Sequence, residues 1–127
     1  MLFRSKISHY LGVPMETLKV SLRGDVAGDG CESNCWMAED AYDGKNILIV
    51  DDINDTGATI NWIKDDWSLS AYRNDPKWDS IWNKSVRFMT LIDNDASPVE
   101  VNYFGESINK AEEDVWIVFP WEEWWKR

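Results

Sequence analysis

The chain has 127 residues, and 13 Lys and Arg against 23 Asp and Glu leave a formal charge of −10. That length suits one domain able to bury a core, and 44% hydrophobic with 28% charged residues is a globular rather than a disordered or fibrous composition. No apolar run approaches the roughly 18 residues that span a bilayer, and the negative excess removes the global basic field that grips nucleic acid, so neither is an expected partner.

Two cysteines without a secretory signal fit a reducing, cytoplasmic setting. In chain order, Ile7 to Leu11 reads as the end of a helix closed by Gly12 and Pro14. Met15 to Leu22 alternates as a strand does, with Leu18, Val20 and Leu22 on one side. The acidic stretch from Gly24 to Asp43, with Gly24, Gly28 and Gly30, is predicted as a long functional loop. Cys31 and Cys35 fall in it, but the single histidine, His9, lies elsewhere, so two reduced thiols are expected rather than a zinc site.

Asn46 to Asp51 is the clearest element: Ile47, Leu48, Ile49 and Val50 run into two acids, as in a strand buried on both faces. A helix is predicted from Gly57 or Ala58, with Ile60, Ile63 and Trp67 on one face. A turn over Arg73–Asp79, a short helix over Trp78–Lys84, a buried strand over Val86–Ile92 and a polar turn over Asp93–Pro98 follow. A last strand spans Val115 to Phe119, stopped by Pro120, and the spacing of Trp121, Trp124 and Trp125 suits a short terminal helix. Alternating strands and helices predict one α/β domain over residues 1–127, with a mainly parallel sheet and flanking helices. Nine tryptophans are the compositional oddity; packing is the plain account of them, and a stacking platform for a planar ligand the sharper one.

Ligands of such sheets bind beyond the carboxyl ends of the strands, which singles out Val50-Asp51-Asp52-Ile53-Asn54-Asp55-Thr56-Gly57-Ala58-Thr59. Backbone N–H groups in that turn and at the helix start make a cradle for a phosphate. Gly57 permits a tight turn, Thr56 and Thr59 offer hydroxyls, and Asp51 and Asp52 can accept from sugar hydroxyls or ligate a hard cation such as Mg²⁺. A phosphate at one end and a diol at the other describe a ribose phosphate.

Four hydrophobics, two acids, two variable residues and Asp55-Thr56-Gly57-Ala58-Thr59 resemble the phosphoribosyl-pyrophosphate (PRPP) signature of the type I phosphoribosyltransferases. Asp114-Val115-Trp116-Ile117-Val118-Phe119-Pro120-Trp121-Glu122 is similar to the closing segment of the xanthine/guanine/hypoxanthine enzymes of that family, and Ser8–Pro14 and Leu18–Arg23 are similar to their early segments. The resemblance implies a Rossmann-like fold, and a transfer of the phosphoribosyl group from PRPP to a purine base, with Mg²⁺, in purine salvage. Position by position, it implies that Asp51 and Asp52 hold the ribose hydroxyls and the Mg²⁺ shell, and that Asp55 exchanges a proton with purine N7. It further implies that Thr56, Gly57, Ala58 and Thr59 cradle the 5′-phosphate, Trp116 stacks on the purine, and the Ile117 backbone reads its edge. The acidic loop would be a mobile lid, and the full-length enzyme a homo-oligomer.

Two departures accompany the match. A Lys that donates to the 6-oxo group in the purine enzymes aligns with Asn94 here, and Lys110 does not replace it by alignment. The family also begins with a strand and a pyrophosphate-binding loop, whereas this chain starts inside the helix that follows them. Met1–Ser5 resembles the translation of a sequencing-adapter end and is expected to be non-native, so this is read as an N-terminally truncated domain, marginal or inactive alone.

Two other readings are weighed. A domain of the same fold could bind PRPP as a regulatory ligand without catalysis. A response-regulator receiver would use the acid pair and Asp93, but only 34 residues follow Asp93, too few to complete it, and Asp-Thr-Gly-Ala-Thr would go unexplained.

Overall fold

The computed structural model describes residues 2–18, 20, 35–73 and 75–110. Its elements are helix α1 (Leu2–Leu11), helix α2 (Cys35–Tyr42), strand β1 (Ile47–Asn54), helix α3 (Ala58–Ser70), a 3₁₀ turn (Pro76–Ser80), and strands β2 (Val86–Asn94) and β3 (Tyr103–Ile108). The three strands form one parallel sheet in the order β1-β2-β3. The connection from β1 to β2 runs through α3, as a parallel pair requires.

Period-two alternation decides the core. Ile47 pairs with Val86, Ile49 with Phe88, Asp51 with Thr90 and Ile53 with Ile92, so these residues share one face. Along β2 that face is buried at Val86, Phe88, Thr90, Ile92 and Asn94, while the intervening residues are half-buried or exposed. Ile60, Ile63 and Trp67 of α3 join the same cluster with Met37, Ala38 and Ala41 of α2. Trp67, Phe88, Ile63 and Val86 are the largest apolar side chains fully enclosed there, each contributing roughly 1.5–3 kcal/mol of transfer free energy.

Tryptophan enters this core as packing. Trp78 and Trp82 stack at 5.4 Å, Trp82 lies 5.8 Å from Trp67 and 6.3 Å from Phe88, and Trp78 meets Tyr42 at 5.7 Å. Tyr42 stacks in turn on Tyr72 at 3.8 Å. The indole of Trp78 donates to the carbonyls of Ala71 and Tyr72, which satisfies its polar edge.

Several expectations are corrected. Met15 to Leu18 and Val20 form no strand, although Leu18 and Val20 do pack on the core. The stretch expected to be loop to Asp43 contains α2, whose small Ala38 and Ala41 permit close approach to the core. The short helix over Trp78–Lys84 is instead a 3₁₀ turn that begins at Pro76, with Asp75 accepting from the Lys77 amide as its cap. β1 runs three residues past Asp51, and it is not buried on both faces: Leu48 is 38% exposed, and β1 is the edge of the described sheet. β3 was not anticipated; Tyr-Phe-Gly-Glu-Ser-Ile has no clean alternation and lies mostly exposed. The expected strand over Val115–Phe119, the terminal helix, Cys31 and the 24–34 stretch lie outside the described residues.

Candidate active site

β1 carries its apolar half into the sheet and delivers Asp51, Asp52, Asn54 and then Asp55 at its carboxyl end. The chain bends over 55–57 and enters α3 at once. Gly57 makes that reversal in the left-handed region, at φ 83° and ψ 1°. A side chain there would be strained by φ and would also collide with Val99, whose Cγ2 lies 2.6 Å from the Cβ position. Glycine is therefore demanded twice, by the turn and by the loop packed over it.

Among the described residues no side chain caps α3 from Gly57; the Ala58 amide donates to Thr56 Oγ1 at 3.3 Å. The first helical N–H groups have no intrahelical acceptor and sit at the positive end of the helix dipole, a ready anion cradle. Residues 51–59 all line one cavity of about 280 Å³, closed by Ile49, Ile60, Ile63, Phe88, Met89 and Thr90. That is just below the range of about 300–1,000 Å³ usual for small-molecule sites. Thr90 is buried beside Asp51, and its hydroxyl has no hydrogen-bond partner among the described residues, leaving a polar group on the wall. A second, larger groove of about 910 Å³ borders β1 at Ile47–Val50 and runs under α1, but its lining is mostly aliphatic and aromatic and it lacks the acid–hydroxyl turn.

The two acids suit Mg²⁺ by donor type, as hard oxygens. Neighbouring strand residues point to opposite faces, however, and among the described residues no three His, Cys, Asp or Glu side chains converge on a metal-sized site. Asp51 Oδ1 also accepts from the Asp52 amide at 2.9 Å. One or two carboxylates of this kind suit an ion that keeps most of its own water, not a closed cage.

Asp55 is held from outside its own loop. Asn94, buried at the end of β2, donates through Nδ2 to the Asp55 carbonyl at 2.9 Å and to its Oδ1 at 3.3 Å. Lys110 Nζ lies 2.9 Å from Asp55 Oδ2. The side-chain Oδ1 of Asn94 accepts from the amides of Ala96 and Lys110, both at 3.1 Å. The amide expected to face a base therefore faces Asp55. A parallel arrangement fixes the loop above: Asn54, 3% exposed, donates to Asp93 Oδ1 at 2.8 Å and to the Val99 carbonyl at 2.7 Å, and accepts from Ser97.

The structure thus brings Asp51, Asp52, Asp55, Thr56, Gly57, Ala58 and Thr59 to one cavity, with Asn94 behind Asp55; Trp116 and Ile117 lie outside the described residues. Sequence reading missed Asn54, Thr90 and Lys110. Asn54 could have been suspected, because it closes an apolar strand with an amide that can bridge neighbouring segments. Lys110 carried no local signal. None of the curated proteins matches the chain at a significant level. The family whose model does match is the phosphoribosyl transferase domain, aligned to residues 1–126, and with its parallel α/β sheet and the acid–hydroxyl turn at the end of β1 the chain belongs to that family of transferases.

Proposed function

We propose that this domain moves the phosphoribosyl group of PRPP onto a purine base, forming a nucleoside 5′-monophosphate and pyrophosphate in cytoplasmic purine salvage. The observation that carries it is the turn from Asp51 to Thr59, in which acids and helix-start amides border one cavity. Asp51 and Asp52 accept from the ribose diol, while the amides and hydroxyls of Thr56–Thr59 bind the 5′-phosphate. Magnesium, which Asp51 and Asp52 would hold through water, supplies charge neutralisation of the pyrophosphate. Trp116 and Ile117 are assigned to the base, and Asn94 to the support of Asp55.

The bond from the anomeric carbon to pyrophosphate breaks as the bond to the base nitrogen forms, through an oxocarbenium-like state. The base is left with one proton too many, or must lose one to attack, and Asp55 is the acceptor in reach. Positioning and electrostatics supply most of the rate, since little covalent chemistry is asked of the protein.

Xanthine, guanine and hypoxanthine, each with PRPP and Mg²⁺, form the direct test, read as nucleotide and pyrophosphate produced. Asp55→Asn should then lower kcat by about 10²–10⁴ while KM for PRPP stays within a few-fold. PRPP binding by the full-length protein without nucleotide from any base would favour a regulatory domain, and equal turnover by Asp55→Asn would remove its proton-handling role.

A further inference from the structure

The carboxylate at the centre of the site is oriented by a residue remote in sequence. Asp55 stands at the bend after β1, 55 positions before Lys110, which follows β3; the ammonium meets Oδ2 at 2.9 Å while Asn94 meets Oδ1 at 3.3 Å. The three residues close a ring, because the Lys110 amide donates back to Asn94 Oδ1 at 3.1 Å. Each parallel strand of the described sheet contributes one corner, at or just beyond its carboxyl end. A further bond, from the Asp95 amide to the Ile108 carbonyl at 2.6 Å, pins the end of β3 to the turn after β2 and so fixes where Lys110 starts.

We infer that Lys110 is a positioning residue for Asp55: its ammonium, held by the Asn94 ring, sets the rotamer in which the carboxylate meets the ligand. This rests on the phosphoribosyl-transfer reading for what Asp55 does, but not for the geometry. The side chains are 22% and 40% exposed, so the pair is screened by water and adds little to stability; its value lies in direction. A carboxylate with one oxygen on an amide and the other on an ammonium cannot rotate freely, and a misplacement of about 1 Å at such a group is costly to rate. Lys110 acts through Asp55, not on the ligand.

Four proteins test this: the wild-type chain, Lys110→Met, Lys110→Arg, and Lys110→Met combined with Asp55→Asn. Lys110→Met should lower kcat at least tenfold with KM for PRPP changed less than threefold, Lys110→Arg should recover most of the loss, and in the Asp55→Asn background the lysine change should add nothing. Wild-type turnover in Lys110→Met, or the same fractional loss with and without Asp55, overturns the inference and leaves the functional reading standing. If the wild-type chain makes no nucleotide from any base, the ring is read by NMR from the Asn94 side-chain amide resonances. A shift in Lys110→Met that is absent in Lys110→Arg supports the inference, and unchanged resonances in Lys110→Met overturn it.

Discussion

Toward the amino ends of the strands, Tyr72, Tyr42, Trp78, Trp82, Trp67 and Phe88 touch ring to ring, with Lys77 Nζ over Tyr42 at 4.3 Å. At the carboxyl ends of the same strands the joints are instead Asn54, Asn94, Asp55, Asp93, Ser97 and Lys110, linked by hydrogen bonds of 2.7–3.3 Å. One end gains its free energy from area removed from water, which is non-directional and tolerant of small shifts. The other gains little net free energy per bond but fixes angles, because hydrogen bonds weaken steeply when bent. A sheet with this division can be stable at one end and hold polar groups ready for a ligand at the other.

The contrast breaks if the two ends respond alike to truncation. Trp67→Ala, at 1% exposure, should show the largest loss, about 3–5 kcal/mol in denaturant unfolding, with the cavity unable to collapse under α3. Asn54→Ala should cost less, about 1–3 kcal/mol, because it removes the donor to Asp93 and leaves the Val99 carbonyl with the 3.3 Å bond from the Ser97 hydroxyl. Its distinguishing mark should be local: faster hydrogen exchange over 97–101, which Trp67→Ala would not single out. If Asn54→Ala destabilises as much as Trp67→Ala and leaves that loop protected, the carboxyl end is a second core and not a positioning device.

The smallest effect is one of pH. A hydrogen bond of 2.6 Å from the Tyr42 hydroxyl to Asp75 raises the phenol above its ordinary 10.0 and, with the Lys77 amide, holds Asp75 below its ordinary 3.8. The depressed carboxyl adds stability that is present above 3.8 and lost as pH falls through its lower folded value; the raised phenol adds stability present below 10.0 and lost as pH climbs through its higher folded value. Tyr42→Phe should therefore lower stability slightly across neutral pH and leave the acid and alkaline extremes nearly unchanged, so that its profile is flatter, as followed by thermal unfolding across pH. A profile that keeps both limbs would remove the pair from the aromatic end's account.

Much of the site was legible because it is local. Asp51 to Thr59 is contiguous, and the strand–turn–helix context follows from Ile47–Val50, Gly57 and the Ile60, Ile63, Trp67 spacing, all within one βα unit. Of the fold, the parallel α/β arrangement and the positions of β1, α3 and β2 were readable from apolar runs. β3 was hidden because an exposed strand has no burial to imprint on its sequence, and Gly105, which sits 3.0 Å from the Leu91 carbonyl at its Cβ position, reads as a breaker. α2 was hidden by the acidic, glycine-bearing stretch before it.

The amino-acid sequence by itself determined the chemistry of the turn, because residue types three or four apart must meet there whatever the rest of the chain does. Only the tertiary structure decided which way Asp55 faces. Its partners come from the end of β2 and from the second residue after β3, 39 and 55 positions away. Such distances are bridged only when parallel strands are brought into register, a constraint that no local pattern of hydrophobicity or charge encodes.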